Sequence, residues 1–437
     1  MRRGFIFDHG KCVACNACNV ACTIENGWNS HPRSVYTFNS EAAWSLPVIN
    51  LSMACNHCET ASCLNGCPAK ALYRDPETGS VIVNEERCLG CKYCTWNCPY
   101  DAPKYDRDKK IVEKCNQCYL NIKDGFDPAC TTACPTGALR FSEMNPARSG
   151  FIYSWFPEKA LNPAIEFVSK ENLSAPVVFP ERKPEMQSPA RQKARTSREE
   201  ISLVIFTFLL TVSVALMTSS IITGRFHSYT IILLNLLAGI SSLFHLGKKL
   251  RSWRALSNFA KSPLSREISA FILYFIVSSL AAFLYLPFLV VVSTITGLIL
   301  LLSIDSVYIF SDGRRSIFFH SGGTFISGLL VASFISGSIL PAVFLAVIKT
   351  LIVFTFQLKG NNESPDFAMR FFRLALLIIT GSGLLIYRSV PVLPVIMIFL
   401  SGELIDRIFF YKDFRPVNIN SLIEEQLTTY KNESKEY

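Results

Sequence analysis

The placement of the cysteines constrains this 437-residue chain more than any other feature of its sequence. All 16 cysteines lie between positions 12 and 134, and the rest of the chain has none. They form four groups of four, which in chain order are Cys12, Cys15, Cys18 and Cys22; Cys55, Cys58, Cys63 and Cys67; Cys88, Cys91, Cys94 and Cys98; and Cys115, Cys118, Cys130 and Cys134. So many thiols in so short a segment predict metal sites or a disulfide framework.

The spacing within the groups favours iron. The first and third groups both read C-x2-C-x2-C-x3-C, a run in which three thiolates hold one cubane and the fourth reaches a second cluster. A proline, part of the same pattern, follows the last cysteine of three groups at Pro68, Pro99 and Pro135, whereas Thr23 follows the first group. The 16 thiolates would supply four [4Fe–4S] clusters with none left over.

Two other uses of the cysteines fit less well. Zinc sites rarely take three ligands from one C-x2-C-x2-C run. A disulfide framework needs an oxidising compartment, and the topology argued below predicts the cytoplasm. The formal charge of +9 counts every thiol as neutral, so a head carrying iron-bound thiolates need not be basic.

The second half of the chain is apolar. Half of all residues are hydrophobic and 18% are charged, which argues against a disordered or nucleic-acid-binding protein. Segments 201–224, 226–247 and 268–304 contain no charged residue, and the last is long enough for two spans, with Pro287 as the break. With 316–358 and 374–402, we predict about eight transmembrane helices, or about seven if the turn before Pro341 is misread.

Lysine and arginine predict the orientation. They concentrate in the alternate connections 181–200, 247–267, 311–321 and 359–373 and after 405, whereas the opposite turns contain only Arg225 and Arg388. The positive-inside rule then places the cysteine head and the C-terminus on the cytoplasmic side of the inner membrane. Arg2 and Arg3 are followed by no apolar stretch of an export signal, which favours ordinary surface charge.

These features predict an α+β ferredoxin-like multi-cluster domain followed by an all-α polytopic membrane domain. A turn at P-E-T-G within 71–86 predicts a small hairpin in the first domain. The predicted boundaries are 1–145 for the four-cluster domain, 146–200 for an extension and charged linker, 201–411 for the membrane anchor, and 412–437 for a cytoplasmic tail.

Three stretches of the head resemble a known family, and they read LSMACNHCETASCLNGCPAKAL, ERCLGCKYCTWNCPYDAPKYD and EKCNQCYLNIKDGFDPACTTACPTGAL. The resemblance is to the four-cluster iron–sulfur subunit of the dimethyl sulfoxide reductase family of molybdenum enzymes, and it extends from residue 4 to about 145. Segments 241–268 and 401–411 resemble the quinol-oxidising membrane anchor of the same enzymes. In that family head and anchor are separate chains, whereas this chain joins them.

The resemblance implies how the thiols are shared. The four implied ligand sets are, first, Cys12, Cys15, Cys18 and Cys134; second, Cys22, Cys115, Cys118 and Cys130; third, Cys55, Cys58, Cys63 and Cys98; and fourth, Cys67, Cys88, Cys91 and Cys94. Some relatives replace one cysteine of the third group with tryptophan and hold a three-iron cluster, but this chain retains Cys91. In the family the first cluster lies nearest the molybdenum subunit and the fourth nearest the quinone.

The resemblance also indicates a quinol site. The family uses a histidine in an HLG motif and a glutamate in an S-x-E motif, which correspond to His245 and Glu267. Quinol oxidation releases two protons with two electrons, and a histidine beside a carboxylate suits that release. In the alternative interpretation, His245 caps a helix end and Glu267 occupies a first helical turn. Asp305, Lys349 and Glu403 are intramembrane ionisable residues that fit a functional role or a structural ion pair equally.

The resulting hypothesis is a subunit that oxidises menaquinol or another quinol and passes electrons to a separate molybdenum or tungsten subunit. Apart from quinol oxidation, the chain would perform no catalysis, and it would have no nucleic-acid partner. The related anchors lack haem, so none is expected despite His227, His245 and His320. Two alternatives stay open: electrons run from a dehydrogenase partner to quinone, or the head is a sensor on a transporter or scaffold. The terminal substrate is not readable from the sequence.

Overall fold

The computed structural model describes residues 3–38, 48–144, 161–168, 197–309, 323–359 and 392–413. The chain divides into two units, one comprising Met1–Ala194 with Pro416–Tyr437 and the other Arg195–Arg415. The first unit contains every cysteine, and the second contains the apolar helices.

The described part of the first unit consists of short elements. Its strands are β1 (Arg3–Phe7), β2 (Ser34–Phe38), β3 (Ile49–Met53), β4 (Leu72–Arg74), β5 (Val81–Val83), β6 (Lys104–Asp106), β7 (Ile111–Glu113), β8 (Leu139–Glu143) and β9 (Ile165–Phe167). Its α-helices are α1 (Ala17–Asn26), α2 (Ser62–Gly66), α3 (Tyr93–Trp96), α4 (Tyr119–Lys123) and α5 (Ala129–Thr132). Helices this short are not stable alone in water, so the packing around the cysteines must hold them.

The sheets of the head join distant parts of the chain. Strand β1 pairs antiparallel with β8 and parallel with β9. Phe5 lies opposite Phe141 in this sheet, with ring centroids 5.6 Å apart. The remaining strands form the hairpins β2–β3, β4–β5 and β6–β7. The pairing of β4 with β5 confirms the hairpin expected within 71–86.

The described part of the second unit is helical. Its helices are α6 (Ser197–Thr223), α7 (Ser228–Leu243), α8 (Pro263–Leu284), α9 (Pro287–Ile309), α10 (Thr324–Ile335), α11 (Ile339–Lys359) and α12 (Val392–Asp413). Three described stretches, Ile201–Thr223, Pro263–Leu284 and Pro287–Tyr308, are long and apolar enough to cross a membrane. The predicted segment 374–387 lies outside the described residues, so the count of eight stays a prediction.

Local chemistry sets the ends of these helices. Ser262 caps α8 by accepting a hydrogen bond from the backbone N–H of Ser265 at 3.4 Å, and Pro263 occupies the first helical position, where its missing N–H costs nothing. Tyr285 ends α8 with a left-handed φ of 54°. Helix α9 begins at Pro287, the residue at which the sequence predicted the break.

A buried polar network joins three of the apolar helices. Ser213 of α6 donates to the side-chain oxygen of Asn235 of α7 at 2.7 Å and lies 2.9 Å from the Tyr274 hydroxyl of α8. The Asn235 amide donates to Ser278 of α8 at 3.0 Å. All four side chains are fully buried. Such cross-helix hydrogen bonds satisfy polar groups that lipid cannot.

Candidate metal centres and quinol site

The cysteine loops share one backbone conformation. In each of the four groups, the residue before the second cysteine has a positive φ: 54° at Ala14, 43° at His57, 67° at Gly90 and 65° at Gln117. This left-handed residue turns backbone N–H groups towards the sulfur, as backbone nests do around iron–sulfur sites. The N–H of His57 accordingly donates to the Cys55 sulfur at 3.4 Å. The N–H of Gln117 donates to the Cys115 sulfur at the same distance.

A second recurrent turn follows the Cys-Pro pairs. Lys70, Asp101 and Gly137 each lie three residues after a proline-linked cysteine, with φ values of 49°, 50° and 61°. The turn brings the N–H of Ala71 to 3.2 Å from the Cys67 sulfur, and the N–H of Leu139 donates in the same way to Cys134. The first group has no such proline, and there α1 simply continues through Cys22 to Asn26.

Two cavities in the head are each lined by four cysteines. One is enclosed by Cys67, Cys88, Cys91 and Cys94 with apolar neighbours that include Leu89 and Val112. The other is enclosed by Cys12, Cys15, Cys18 and Cys134 with neighbours that include Phe7 and Leu139. These are the memberships of the fourth and first implied ligand sets.

The remaining thiols also fall into two neighbourhoods. Cys22 interacts electrostatically with Cys115, Cys118 and Cys130, the members of the second implied set. In the third implied set, Cys98 interacts with Cys55 and Cys63, and Cys63 interacts with Cys58. Thiols from distant sequence groups are therefore neighbours in space.

The electrostatics of these sites call for a cationic occupant. Burial, with repulsion from neighbouring thiolates, raises the pKa of Cys63 and of Cys91 to about 12. Cys134 differs: burial acts to raise its pKa, but hydrogen bonds from Leu139 and Thr136 outweigh burial and lower it. Buried thiols with raised pKa values stay neutral at pH 7 unless a metal centre stabilises their thiolates.

Buried nitrogen donors without a hydrogen-bond partner in the described part of the chain also lie near the cysteines, and they too fit a bound metal centre. Among the described residues, Arg33 Nε, Asn56 Nδ2 and Gln117 Nε2 are buried without a hydrogen-bond partner. Asn56 follows Cys55, Gln117 lies between two cysteines, and Arg33 acts electrostatically on four. Cluster sulfurs would accept hydrogen bonds from such donors, so these residues fit [4Fe–4S] clusters. Bound in this way, a cluster supplies a one-electron redox centre.

The two residues expected at the quinol site lie in the helical unit. His245 is half-buried in the turn after α7, which ends at Leu243, two residues earlier than the expected helix end. Glu267 is buried on α8, in its second turn rather than the expected first because the helix begins at Pro263. The carboxylate of Asp305 on α9 acts on Glu267 electrostatically.

Asp305 itself caps a helix. Its carboxylate accepts hydrogen bonds from the backbone N–H of Thr324 at 2.8 Å, from the Thr324 hydroxyl at 2.9 Å and from the N–H of Phe325 at 3.1 Å. A carboxylate at a helix N-terminus satisfies unpaired N–H groups and complements the helix dipole. The geometry thus gives Asp305 a structural role at the start of α10.

A further buried group of charges joins other helices of the unit. Lys349 of α11 forms an ion pair with Glu403 of α12 and donates to the Ser327 hydroxyl of α10 at 2.6 Å. Arg407, one turn after Glu403, acts on it electrostatically and donates to Thr211 of α6 at 2.8 Å. Of the two roles left open for Lys349 and Glu403, the geometry shows an ion pair that links helices.

Comparison with known families decides what this combination of units is. Residues 47–144 match the model of a 4Fe-4S dicluster domain, and residues 195–359 match that of the DMSO reductase anchor subunit (DmsC). Over 159 residues, the sequence is 36% identical to one of the chains of the anaerobic dimethyl sulfoxide reductase of Haemophilus influenzae, a match that covers 34% of this protein and 77% of that relative. This protein belongs to the dimethyl sulfoxide reductase family. It joins the iron–sulfur subunit and the membrane anchor of that family in one polypeptide.

Other relatives of the chain have different names. The sequence is 40% identical over 154 residues to one of the chains of the polysulfide reductase of Wolinella succinogenes, covering 33% of this protein and 78% of that relative. It is 30% identical over 196 residues to one of the subunits of the sulfite dehydrogenase of Allochromatium vinosum, covering 38% of this protein and 82% of that relative. Subunits named for a reductase and for a dehydrogenase are thus both among its relatives.

The structure adds two residues that the sequence analysis missed. Arg33 lies between α1 and β2, outside every cysteine group, and no local pattern marks it. Lys114 precedes Cys115 directly, and this adjacency was an available signal. Both side chains are buried, and both act electrostatically on cysteines of more than one implied set.

Proposed function

We propose that this chain is the electron-transfer and membrane-anchor subunit of a molybdopterin oxidoreductase complex. It oxidises menaquinol or another quinol and relays electrons through four [4Fe–4S] clusters to a separate molybdenum or tungsten subunit, as in anaerobic dimethyl sulfoxide-type respiration. The observation that carries this proposal is the gathering of cysteines from distant groups into four-thiol neighbourhoods, on a chain that also contains the anchor domain.

The four implied ligand sets are part of the proposal. The two four-cysteine cavities support the first and fourth sets, and the electrostatic neighbours of Cys22 and Cys98 support the second and third. Each set combines cysteines from two sequence groups, as paired ferredoxin clusters do. Four linked one-electron centres suit electron transfer over a distance, whereas a sensor usually needs only one cluster.

The proposed quinol site contains His245 and Glu267. The half-buried His245 is of the residue type that takes up and releases a proton near neutral pH. The buried Glu267 offers a carboxylate that can pass the second proton. An ionisable residue buried in an apolar helix is a functional candidate by default, and nothing in the described part of the chain gives Glu267 a structural task comparable to the helix cap of Asp305.

The topology of the anchor is also proposed. About eight transmembrane helices would occupy 201–411, with the cluster domain at 1–145, the linker at 146–200 and the tail at 412–437. The lysines and arginines of the connections support a cytoplasmic location for the head and the C-terminus. The quinol site would then lie in the inner membrane, and the clusters would lie on the cytoplasmic side of that membrane.

The reverse direction of electron flow is the second candidate. It is favoured by one observation, the similarity of this chain to a subunit named for sulfite dehydrogenase. In that case a dehydrogenase partner would deliver electrons through the clusters to quinone. Direction depends on the reduction potentials of the clusters, which their surroundings set.

Metal analysis of the native complex tests the partner. The tagged full-length protein is isolated anaerobically from membranes, and iron, molybdenum and tungsten are measured. We expect about sixteen irons per chain and stoichiometric molybdenum or tungsten with a large additional subunit. Iron at that level without either metal would contradict the proposed partner, and iron far below it would contradict the four clusters.

A matched pair of histidine variants tests the quinol site. His245→Ala should abolish reduction of the clusters by a menaquinol analogue while leaving their reduction by dithionite intact. His227→Ala is the control, because His227 lies exposed at the opposite end of the same helix, α7. Wild-type rates of quinol-driven reduction in His245→Ala, or equal losses in both variants, would contradict the proposed site.

A further inference from the structure

We propose that Arg33 is a fixed positive charge that raises the reduction potentials of two neighbouring clusters, those of the first and second ligand sets. The proposal rests on the cluster sites of the proposed function and adds to them a residue that sets their potentials. Arg33 lies outside all four cysteine groups and belongs to no motif.

The first support is where the side chain lies. Arg33 precedes β2 and is only 1% exposed, which makes it one of the largest fully buried side chains of the described residues. Its guanidinium lies 4.9 Å from the centre of the Phe5 ring. Arginine is almost never buried without a compensating charge, since removing a cation from water is costly.

The second support is what the guanidinium faces. Its strongest electrostatic partners are all cysteines: Cys18 belongs to the first implied set, and Cys22, Cys115 and Cys130 belong to the second. Cysteines, and no carboxylate, are thus the largest electrostatic partners of Arg33 among the described residues, and cluster-bound thiolates would supply the compensating negative charge. Because these partners belong to two sets, the charge must act on both sites.

The third support is the hydrogen bonding around Arg33. Its Nη1 donates to the Ser52 hydroxyl at 2.9 Å, and the oxygen of that hydroxyl lies 3.3 Å from the Cys18 sulfur. Its Nε has no partner among the described residues. One nitrogen thus fixes the guanidinium through Ser52, while Nε remains as a donor for a sulfur acceptor.

The physical consequence follows from charge. A cluster held by four thiolates is anionic, and reduction adds one electron without adding or removing an atom. A nearby cation stabilises the more negative, reduced form, so it raises the reduction potential. Arginine retains its proton at every accessible pH, so this contribution is constant, and burial keeps it from being screened.

A second buried cation, Lys114, acts on cysteines of the second and third sets. Lys114 donates to the backbone carbonyls of Val81 and Cys115 at 2.5 and 2.7 Å, and its electrostatic partners include Cys55 and Cys63 of the third set. Substitution of Arg33 leaves this lysine in place. No cysteine of the third or fourth set is among the largest electrostatic partners of Arg33, so the clusters of those two sets serve as internal references.

Three variants of the full-length chain, in its native complex, test the proposal. Arg33→Gln removes the charge, whereas Arg33→Lys retains it. Arg140→Gln is the control: Arg140 directly follows Leu139, whose N–H donates to Cys134, but its own side chain is exposed. Iron content and redox titration followed by electron paramagnetic resonance are measured for each. Arg33→Gln should lower the reduction potentials of two of the four clusters. Each should fall by at least about 59 mV, which corresponds to a tenfold change in the equilibrium constant of a one-electron reduction.

The outcomes distinguish an effect of the positive charge of Arg33 from an effect of the packing of its side chain. If Arg33→Gln shifts two potentials while Arg33→Lys and Arg140→Gln stay near wild type, the proposal is supported. If Arg33→Gln loses iron that Arg33→Lys retains, the requirement for a cation is also supported. If both Arg33 variants lose iron, or if Arg33→Gln keeps all four potentials, the proposal is overturned. A wild-type protein without four clusters would instead overturn the proposed function.

Discussion

Lys349 and Glu403 form an ion pair that is buried on both sides, with each residue only 3% exposed. The pair connects α11 with α12, and the hydrogen bond from Lys349 to Ser327 adds α10. Arg407 extends the link to α6 through Thr211. Charged and polar side chains thus join four helices, α6, α10, α11 and α12.

Removing one partner of this pair should be more harmful than removing both. Lys349→Met removes the cation that forms the ion pair with Glu403 and leaves only the more indirect action of Arg407, so we expect a loss of about 3–5 kcal/mol in stability. The double variant Lys349→Met with Glu403→Leu should recover part of that loss, because neither member of the pair remains to be desolvated, although the buried Arg407 then loses a neighbouring carboxylate. Thermal unfolding of the detergent-solubilised complex provides the measurement.

Lys261→Met is the control for this experiment, since Lys261 is exposed in the connection before α8 and should change stability little. A double variant less stable than Lys349→Met alone would contradict the expected recovery and would show that Arg407 needs the Glu403 carboxylate more than Glu403 needs Lys349.

Asp305 should behave as a helix cap. Asp305→Ala removes the acceptor for the N–H groups of Thr324 and Phe325, so we expect a loss of about 0.5–2 kcal/mol. Asp305→Asn retains one oxygen acceptor and should lose less. The neighbouring Ser306→Ala is the control, because the Ser306 hydroxyl donates within its own helix, to the carbonyl of Ser303. Loss of quinol oxidation in Asp305→Asn at full stability would contradict a purely structural role.

Local signals predicted much of this architecture. The turn within 71–86 and Pro287 act on the adjacent backbone, and the corresponding hairpin and helix start are present. The cap that Asp305 provides to Thr324 depends on tertiary packing between residues 19 positions apart. The burial of Arg33 depends on packing too, because its partners come from two cysteine groups far apart in the chain, and no window of the sequence contains them together.

The turn at Gly137 makes a testable conformational prediction. Gly137 has a φ of 61°, and no atom lies within 4 Å of the position that a Cβ would occupy. Lys70 and Asp101 adopt the same conformation at the equivalent positions. Gly137→Asn should therefore be tolerated, because asparagine enters the left-handed region readily.

Gly137→Val should instead cost about 1–3 kcal/mol, since a β-branched residue is strained there. The strain would disturb the N–H of Leu139 that donates to Cys134. The rate of cluster loss to an iron chelator measures the effect for both variants. Equal rates for Gly137→Asn and Gly137→Val would show that the backbone turn does not support the site.

The order of the clusters can be tested with one pair of cysteine variants. Cys91 and Cys15 occupy the same position in their C-x2-C-x2-C runs and line the two four-cysteine cavities. Serine at either position should convert one cluster to a three-iron form, lowering iron from about sixteen to about fifteen per chain. Iron analysis and electron paramagnetic resonance measure the conversion. The three-iron cluster gives a signal when oxidised that the wild-type cluster lacks.

The two variants should then differ in electron transfer. If the fourth set receives electrons from quinol, Cys91→Ser should change quinol-driven reduction of all the remaining clusters. Cys15→Ser should leave that reduction unchanged and affect only delivery to the partner subunit, because the first set would be the last in the series. Dithionite, which reaches every cluster directly, is the control for loading. The reverse pattern, with Cys15→Ser impairing quinol-driven reduction and Cys91→Ser sparing it, would place the quinol end at the first set and contradict the proposed order.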